Sequence, residues 1–226
     1  HAYLLAMVGA VWIAAYVQRV WLGRLRLAGA VIEPAAIIVL TPALLYLAGF
    51  AYAAGSPGIE GFGYYRLNLL APIIDYGMWS AIVPSLPHGY YDYEGLSFPG
   101  IGIYAALALA IVTGAVARLG RLVTPRWLPL LVLVVGAWLF ALSNRIGFLD
   151  LEARPIPLPG VLMALGDAFR SSGRFVWPLL YLVTIGAVVL VGRRLGSRWA
   201  VPLLVVAFAV QVADSRVGWS SFRATI

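Results

Sequence analysis

The charges of this chain sort by side. Six long apolar runs divide the sequence, and the segments between them alternate in charge. The linkers after the first, third and fifth runs carry Arg19, Arg24 and Arg26; Arg118, Arg121 and Arg126; and Arg193, Arg194 and Arg198, with no carboxylate among them. The intervening segments hold Glu60, Asp75, Asp92, Glu94, Asp150, Glu152, Asp167 and Asp214. Glu33 is the acid that falls elsewhere. Arg-rich loops stay cytoplasmic when a chain is threaded through a bilayer. The pattern therefore assigns the arginine linkers to the cytoplasm and the acid-bearing, aromatic-rich segments to the outside. Any carboxylate chemistry belongs on the external face.

Composition agrees with this reading. The chain is 62% hydrophobic with a mean hydropathy of +0.92, well above the near-half apolar content of soluble domains. The net charge of +7 reflects the topological arginines, so it points away from nucleic acid as a partner. There is no Lys, as in GC-rich bacterial coding, and no Cys, which excludes disulfides and thiolate chemistry. The chain starts at His1 inside an apolar run. It reads as a fragment of a longer multi-pass protein of a bacterial inner membrane, with both ends of the fragment external.

A spanning helix needs about 20 apolar residues. The expected spans are Ala2–Val17, Ala35–Ala53, Ile101–Ala117, Leu128–Leu142, Phe175–Val191 and Trp199–Ala213. The expected fold is an all-α integral membrane bundle, one domain over 1–226, with two long structured external loops at about 55–100 and 143–174. Within the first loop, 67–74 and 78–83 are apolar but too short to span, as interfacial or re-entrant pieces are. In the second, Pro155, Pro157 and Pro159 impose an extended stretch. Val161, Leu162, Leu165 and Phe169 then recur at helical spacing, the pattern of a short helix on the membrane surface.

Three constellations carry candidate chemistry. Residues 87–95 hold His88, Asp92 and Glu94 among three tyrosines. In an extended loop, side chains at i and i+2 share a side, so Asp92 and Glu94 would converge on one ligand. They suit a general base or hydrogen bonds to sugar hydroxyls. The donor set also admits a divalent cation, and the loop reads equally as a solvated, aromatic-anchored surface. Residues 166–178 hold Arg170 and Arg174 around Ser171, Ser172 and Gly173. Guanidinium forks grip phosphate, and free N–H groups at a helix start add to them. The bland alternative pairs Arg170 with Asp167 and Arg174 with lipid headgroups. Residues 61–68 add Tyr65, Arg66 and Asn68. Glu33 is expected to pair with Arg26 or to snorkel, and Asp214 to be a boundary charge.

Gly63-Tyr64-Tyr65 through Asn68-Leu69-Leu70, Pro87-His88-Gly89 with Asp92-Tyr93-Glu94-Gly95, and Phe169-Arg170-Ser171-Ser172-Gly173-Arg174-Phe175 with Trp177-Pro178 and Tyr181 carry a resemblance. Over roughly residues 60–215 the chain resembles uncharacterised bacterial multi-pass membrane proteins of the GT-C glycosyltransferase superfamily. The resemblance implies transfer of a sugar from a polyprenyl-phosphate donor to an external glycan or protein acceptor. It also implies a key acid in a first external loop outside this fragment. The residues themselves leave other classes open: a transporter or flippase of a lipid-linked or anionic substrate, or a non-catalytic envelope scaffold. On the glycosyltransferase reading, Asp92 and Glu94 contact the sugar or its proton. Arg170, Arg174, Ser171 and Ser172 hold phosphate, with His88, Tyr65 and Arg66 beside them.

The topology is directly testable, because the chain has no cysteine of its own. A single cysteine in the 90–94 loop is expected to react with an impermeant thiol reagent from outside. One in the 118–126 linker should react only from the cytoplasm. Labelling of the 90–94 loop only from the cytoplasmic side would invert the assignment.

Overall fold

The computed structural model describes residues 2–47, 49, 62–114 and 124–225. Arg118, Arg121, Glu60 and the expected ends of the second and third spans lie outside the described residues. The chain is a multi-pass helical membrane protein. Helices α1 (Ala2–Trp21) and α2 (Leu27–Leu47) come first, and the described segment 62–100 is mostly irregular. Then come α3 (Ile101–Val112), α4 (Leu128–Leu142), a two-residue-per-strand hairpin of β1 (Gly147–Phe148) and β2 (Leu151–Glu152), and α5 (Gly160–Ala168). A long helix, α6 (Trp177–Asp214), and a terminal helix, α7 (Arg216–Thr225), complete it. Pro178 opens α6 and Pro129 opens α4, at positions whose N–H has no intrahelical partner, whereas Pro34 and Pro42 lie inside α2 and Pro202 inside α6.

Four stretches are long and apolar enough to cross a membrane: Ala2–Trp21, Gly29–Leu47, Pro125–Leu142 and Ser172–Asp214. The last has 43 residues. At 1.5 Å per residue a straight helix of that length would reach about twice across a bilayer core. It does not run straight. Gly196 has φ 66 and ψ 165, a region open essentially to glycine alone. Val191 before it and Ala200 after it both pack with Ala110. Val176, ahead of the first arm, packs with Leu67 and Ala141, and Asp214, ending the second, bonds to Ile82 and Ile101. Both arms therefore start and finish at one level, and α6 is a helical hairpin with Arg193, Arg194 and Arg198 exposed around its turn.

The other helices fall into the same frame. α1 puts Tyr3 against Ser171 and runs away to Arg19, with α2 antiparallel to it. Tyr16 donates to Ala30 O at 2.7 Å, and Glu33 accepts from Trp12 at 2.7 Å and pairs with Arg19. The partner of Glu33 is thus Arg19, one helix turn from the Arg24–Arg26 linker, rather than Arg26. α3 lies along the second arm of α6, Gly102 meeting Gln211 at one end and Thr113 meeting Arg194 at the other. The bundle consequently has an arginine end and an acid end.

The acid end is a folded layer. Segment 62–76 threads between α4, β1 and the 172–176 turn: Leu67 N donates to Ala141 O, Leu69 N to Gly147 O, and Gly173 N to Tyr65 O. Leu67, Ala71 and Ile74 are fully buried against Leu142 and Val176. The 67–74 piece is accordingly packed into protein rather than re-entrant in lipid. The two expected loops pack on one another, and the β1–β2 hairpin inside the second was not anticipated. α5 forms as expected, with Val161 82% exposed and Leu162 and Leu165 half-exposed.

Gly196 is decisive for the hairpin. Gly196→Val is expected to lower thermal stability in detergent by about 1–3 kcal/mol. Gly186→Ala, in the first arm and with open space at its Cβ, is the control, expected to be neutral or slightly stabilising.

Candidate functional site

The acid end is organised around Arg66. Its side chain and that of Asp92 are almost fully buried, Arg66 Nε lying 3.4 Å from Asp92 Oδ1 as an ion pair without hydrogen-bond geometry. Arg66 Nη1 also meets Glu152 Oε2 at 2.7 Å, and Arg145 Nη1 meets Glu152 Oε1 at 3.1 Å. The charges alternate along this chain of contacts, so no member faces a like charge directly.

Asp92 is fixed from several sides. Its Oδ2 accepts from Asn68 Nδ2 at 2.7 Å and from Gly89 N at 3.0 Å. Asn68 in turn donates to Leu149 O at 2.8 Å and accepts from Leu70 N at 3.1 Å. This fully buried amide stitches three segments together. Its place just after the tyrosines marks it in the sequence, but its bridging role carries no local signature.

The expectation that Asp92 and Glu94 share a face is corrected. Residues 92–95 form a 3-10 turn rather than an extended strand, which rotates neighbours two apart to different sides. Asp92 points into the layer, and Glu94 meets Arg174 Nε at 2.6 Å. His88 stacks on Tyr76 with ring centroids 4.4 Å apart and donates from Nδ1 to Leu86 O. Among the described residues no group of three His, Asp or Glu side chains gathers to hold a metal. His88, Asp92 and Glu94 are therefore three separate sites.

The phosphate cradle of backbone N–H groups is corrected as well. Ser171 N donates to Tyr3 OH, Gly173 N to Tyr65 O, and Arg174 N to Ser171 O. Ser171 and Ser172 are buried. What remains toward the surface is the guanidinium pair. Arg170 lies 5.3 Å over the Tyr65 ring and Arg174 5.1 Å over Tyr3. Among the described residues Arg170 forms no ion pair with Asp167. Tyr65 sits edge-on to Tyr91 and Tyr93, and Tyr64 to Tyr91. Arg145 lies over Tyr64 at 4.8 Å. The rim is thus a cluster of tyrosine rings with three arginines and Glu94 set into it.

Two glycines make the close packing possible. A Cβ on Gly173 would fall 2.7 Å from Gly95 Cα and 2.8 Å from Arg66 C, and one on Gly95 would fall 2.4 Å from Arg66 O. Three backbones meet there, bringing Arg66, Glu94 and Arg174 within reach of each other. Strain sits nearby: Tyr76 has φ 56 and Gly77 φ 71, a turn closed by Met78 N to Asp75 O. Burial, with the Asp92 charge second, pushes the Tyr76 hydroxyl well above the usual tyrosine range. Burial also pushes Glu152 upward. The hydrogen bonds and charges of Arg66 and Arg145 outweigh it and leave this carboxyl below the usual range.

A family model described as a domain of unknown function, DUF6311, matches residues 1–216. The chain belongs to the DUF6311 family. No curated protein and no solved structure matches it. The DUF6311 match takes in the whole acid-end layer and both arms of α6, and it ends at the first residue of α7.

Two outcomes test this layer. Gly173→Ala is expected to destabilise the protein by about 1–3 kcal/mol in detergent unfolding, because backbone rather than a mobile side chain blocks the new methyl. A depressed carboxyl also makes stability acid-sensitive. The Glu152 contribution is present above the unfolded pKa of about 4.3 and is lost as pH falls through the lower folded value. Glu152→Gln should flatten that part of the stability–pH curve between about pH 5 and pH 3.

Proposed function

We propose that this chain is part of a membrane glycosyltransferase that moves a sugar from a polyprenyl-phosphate donor to an acceptor on the external face. In this reading it is a GT-C-like bundle in a bacterial inner membrane. It makes six crossings, the α6 hairpin counting as two, and the acid end faces outward. The observation that carries the reading is the rim where Arg170, Arg174 and Glu94 are set among the tyrosines. Tyrosine faces support a sugar ring. Guanidinium groups stabilise the charge that develops on a phosphate leaving group. A carboxylate beside them takes the acceptor-hydroxyl proton.

The geometry narrows the roles. Asp92 is enclosed and holds Arg66, so it positions the layer, and Glu94 is the better proton acceptor. Glu94 is paired with Arg174. A donor phosphate would compete for that guanidinium and release the carboxylate towards the acceptor. The exposed apolar face of α5 ends beside Arg170, where an isoprenoid tail leaves the phosphate. Glu33, within a described span, is paired with Arg19 near the arginine end, which favours the transferase over a transporter with a midplane ionisable site.

A Lys variant keeps the charge but loses the planar fork. Arg170→Lys and Arg174→Lys are expected to weaken binding of a polyprenyl-phosphate sugar about 10-fold or more, roughly 1.4 kcal/mol, with expression and membrane insertion intact. Unchanged donor affinity in both variants would return these arginines to the role of headgroup anchors.

A further inference from the structure

A second feature of the acid end is a cavity of about 180 Å³ between the turn after Asp75, the start of α3 and the end of α6. Trp79 and Phe98 form its apolar walls, and Gln211, Asp214 and Ser215 its polar ones. It adjoins the arginine–tyrosine rim through one stretch of chain: Glu94 reaches Arg174, and Leu96 two residues on lines the cavity.

Its polar groups are held in place. Asp214 is buried, and its Oδ1 accepts from Ser80 Oγ at 2.5 Å and Ile82 N at 3.3 Å. Its Oδ2 accepts from Ile101 N at 3.4 Å. Gln211 Oε1 accepts from Gly102 N at 3.0 Å, and its Nε2 donates to Ser215 Oγ at 3.3 Å. Gly100 is required for this, since a Cβ there would lie 1.9 Å from Gln211 Nε2. Asp214 is therefore a fixed acceptor at a cavity wall, not a boundary charge.

Size and lining select the ligand. An apolar cavity of about 150 Å³ holds one benzene, so this one takes a single six-membered ring. Among the described residues no cation lines it, which disfavours phosphate. The lining pairs aromatic side chains with an amide, a hydroxyl and a carboxylate. Those groups match a ring that has apolar C–H faces and hydroxyls at its edges. We propose that this cavity is a subsite for one neutral pyranose. The assignment deepens the transferase reading, on which it rests for the choice of a sugar. It adds a place, apart from the phosphate-gripping arginines, where the sugar is read.

The test uses the full chain in detergent, with saturation-transfer NMR against methyl α-glucopyranoside, methyl α-mannopyranoside and methyl α-galactopyranoside. At least one is expected to bind in the millimolar range. Ser215→Phe fills the cavity and should weaken that sugar about 10-fold or more, with the helical content by circular dichroism retained. Asp214→Asn keeps the shape and should weaken it with an altered order of preference among the three. The same sugar linked to farnesyl phosphate identifies its source. A donor sugar loses affinity in Ser215→Phe, and an acceptor sugar does not. Arg174→Lys should leave the free pyranoside unaffected, so failure of the phosphate reading and failure of this one are read separately. No binding by any of the three, binding that survives Ser215→Phe, or binding of tetramethylammonium in their place would overturn the subsite.

Discussion

A buried guanidinium facing a buried carboxylate is the constraint on which the acid end rests. Arg66 and Asp92 are enclosed by protein at the mouth of a membrane bundle. Either charge alone would be costly there, and together they need every remaining hydrogen-bonding site answered. Asn68, Gly89 N and Glu152 supply several of those answers, while Arg66 Nε faces Asp92 without a hydrogen bond. Each comes from a different part of the chain, so satisfying one ion pair fixes the relation of the 62–76 segment, the 92–95 turn and the β hairpin. Gly95 and Gly173 let the backbones close to that distance. The rim of tyrosines, Arg170, Arg174 and Glu94 is carried on this frame.

The frame also explains how a mostly apolar chain presents chemistry at one end only. The α6 hairpin returns at Gly196, leaving its arginines at the far end and Val176 and Asp214 at the near one. Helices α1, α3 and α4 each bring one terminus to the same level. Charges that would be expensive in the span are thus gathered where water and protein dipoles can answer them. The rim grips charge through arginines, and the neighbouring cavity offers a fixed acid and an amide between aromatic walls. On the transferase proposal, phosphate and sugar are two parts of one lipid-linked donor, and the rim and the cavity would each line one of them.

Much of the architecture was legible in the sequence because it depends on composition over tens of residues. Run length and the placement of arginines marked the helices and the two ends. The last two runs, expected as separate spans joined by an arginine linker, are the two arms that turn at Gly196; the glycine's own dihedrals carry no signal in run length. Within the site, residue types were legible and directions were not. Asp92 and Glu94 part company because a 3-10 turn replaces an extended segment. The Ser171 and Gly173 amides are taken by Tyr3 and Tyr65, and Tyr3 lies 168 residues from its partner, a contact that no local pattern encodes. Asp214 looked like a boundary charge for the same reason: its donors come from Ser80, Ile82 and Ile101.

The central claim is that the Arg66–Asp92 pair acts as one unit that holds the acid end together. A double-mutant cycle on thermal unfolding in detergent, with Arg66→Met, Asp92→Leu and the double variant, measures it. The account predicts that each single variant costs about 3–5 kcal/mol by stranding the other charge. The double variant should recover a large part of that loss, giving a coupling of at least about 1.5 kcal/mol. Additive losses, with no recovery in the double variant, would contradict it.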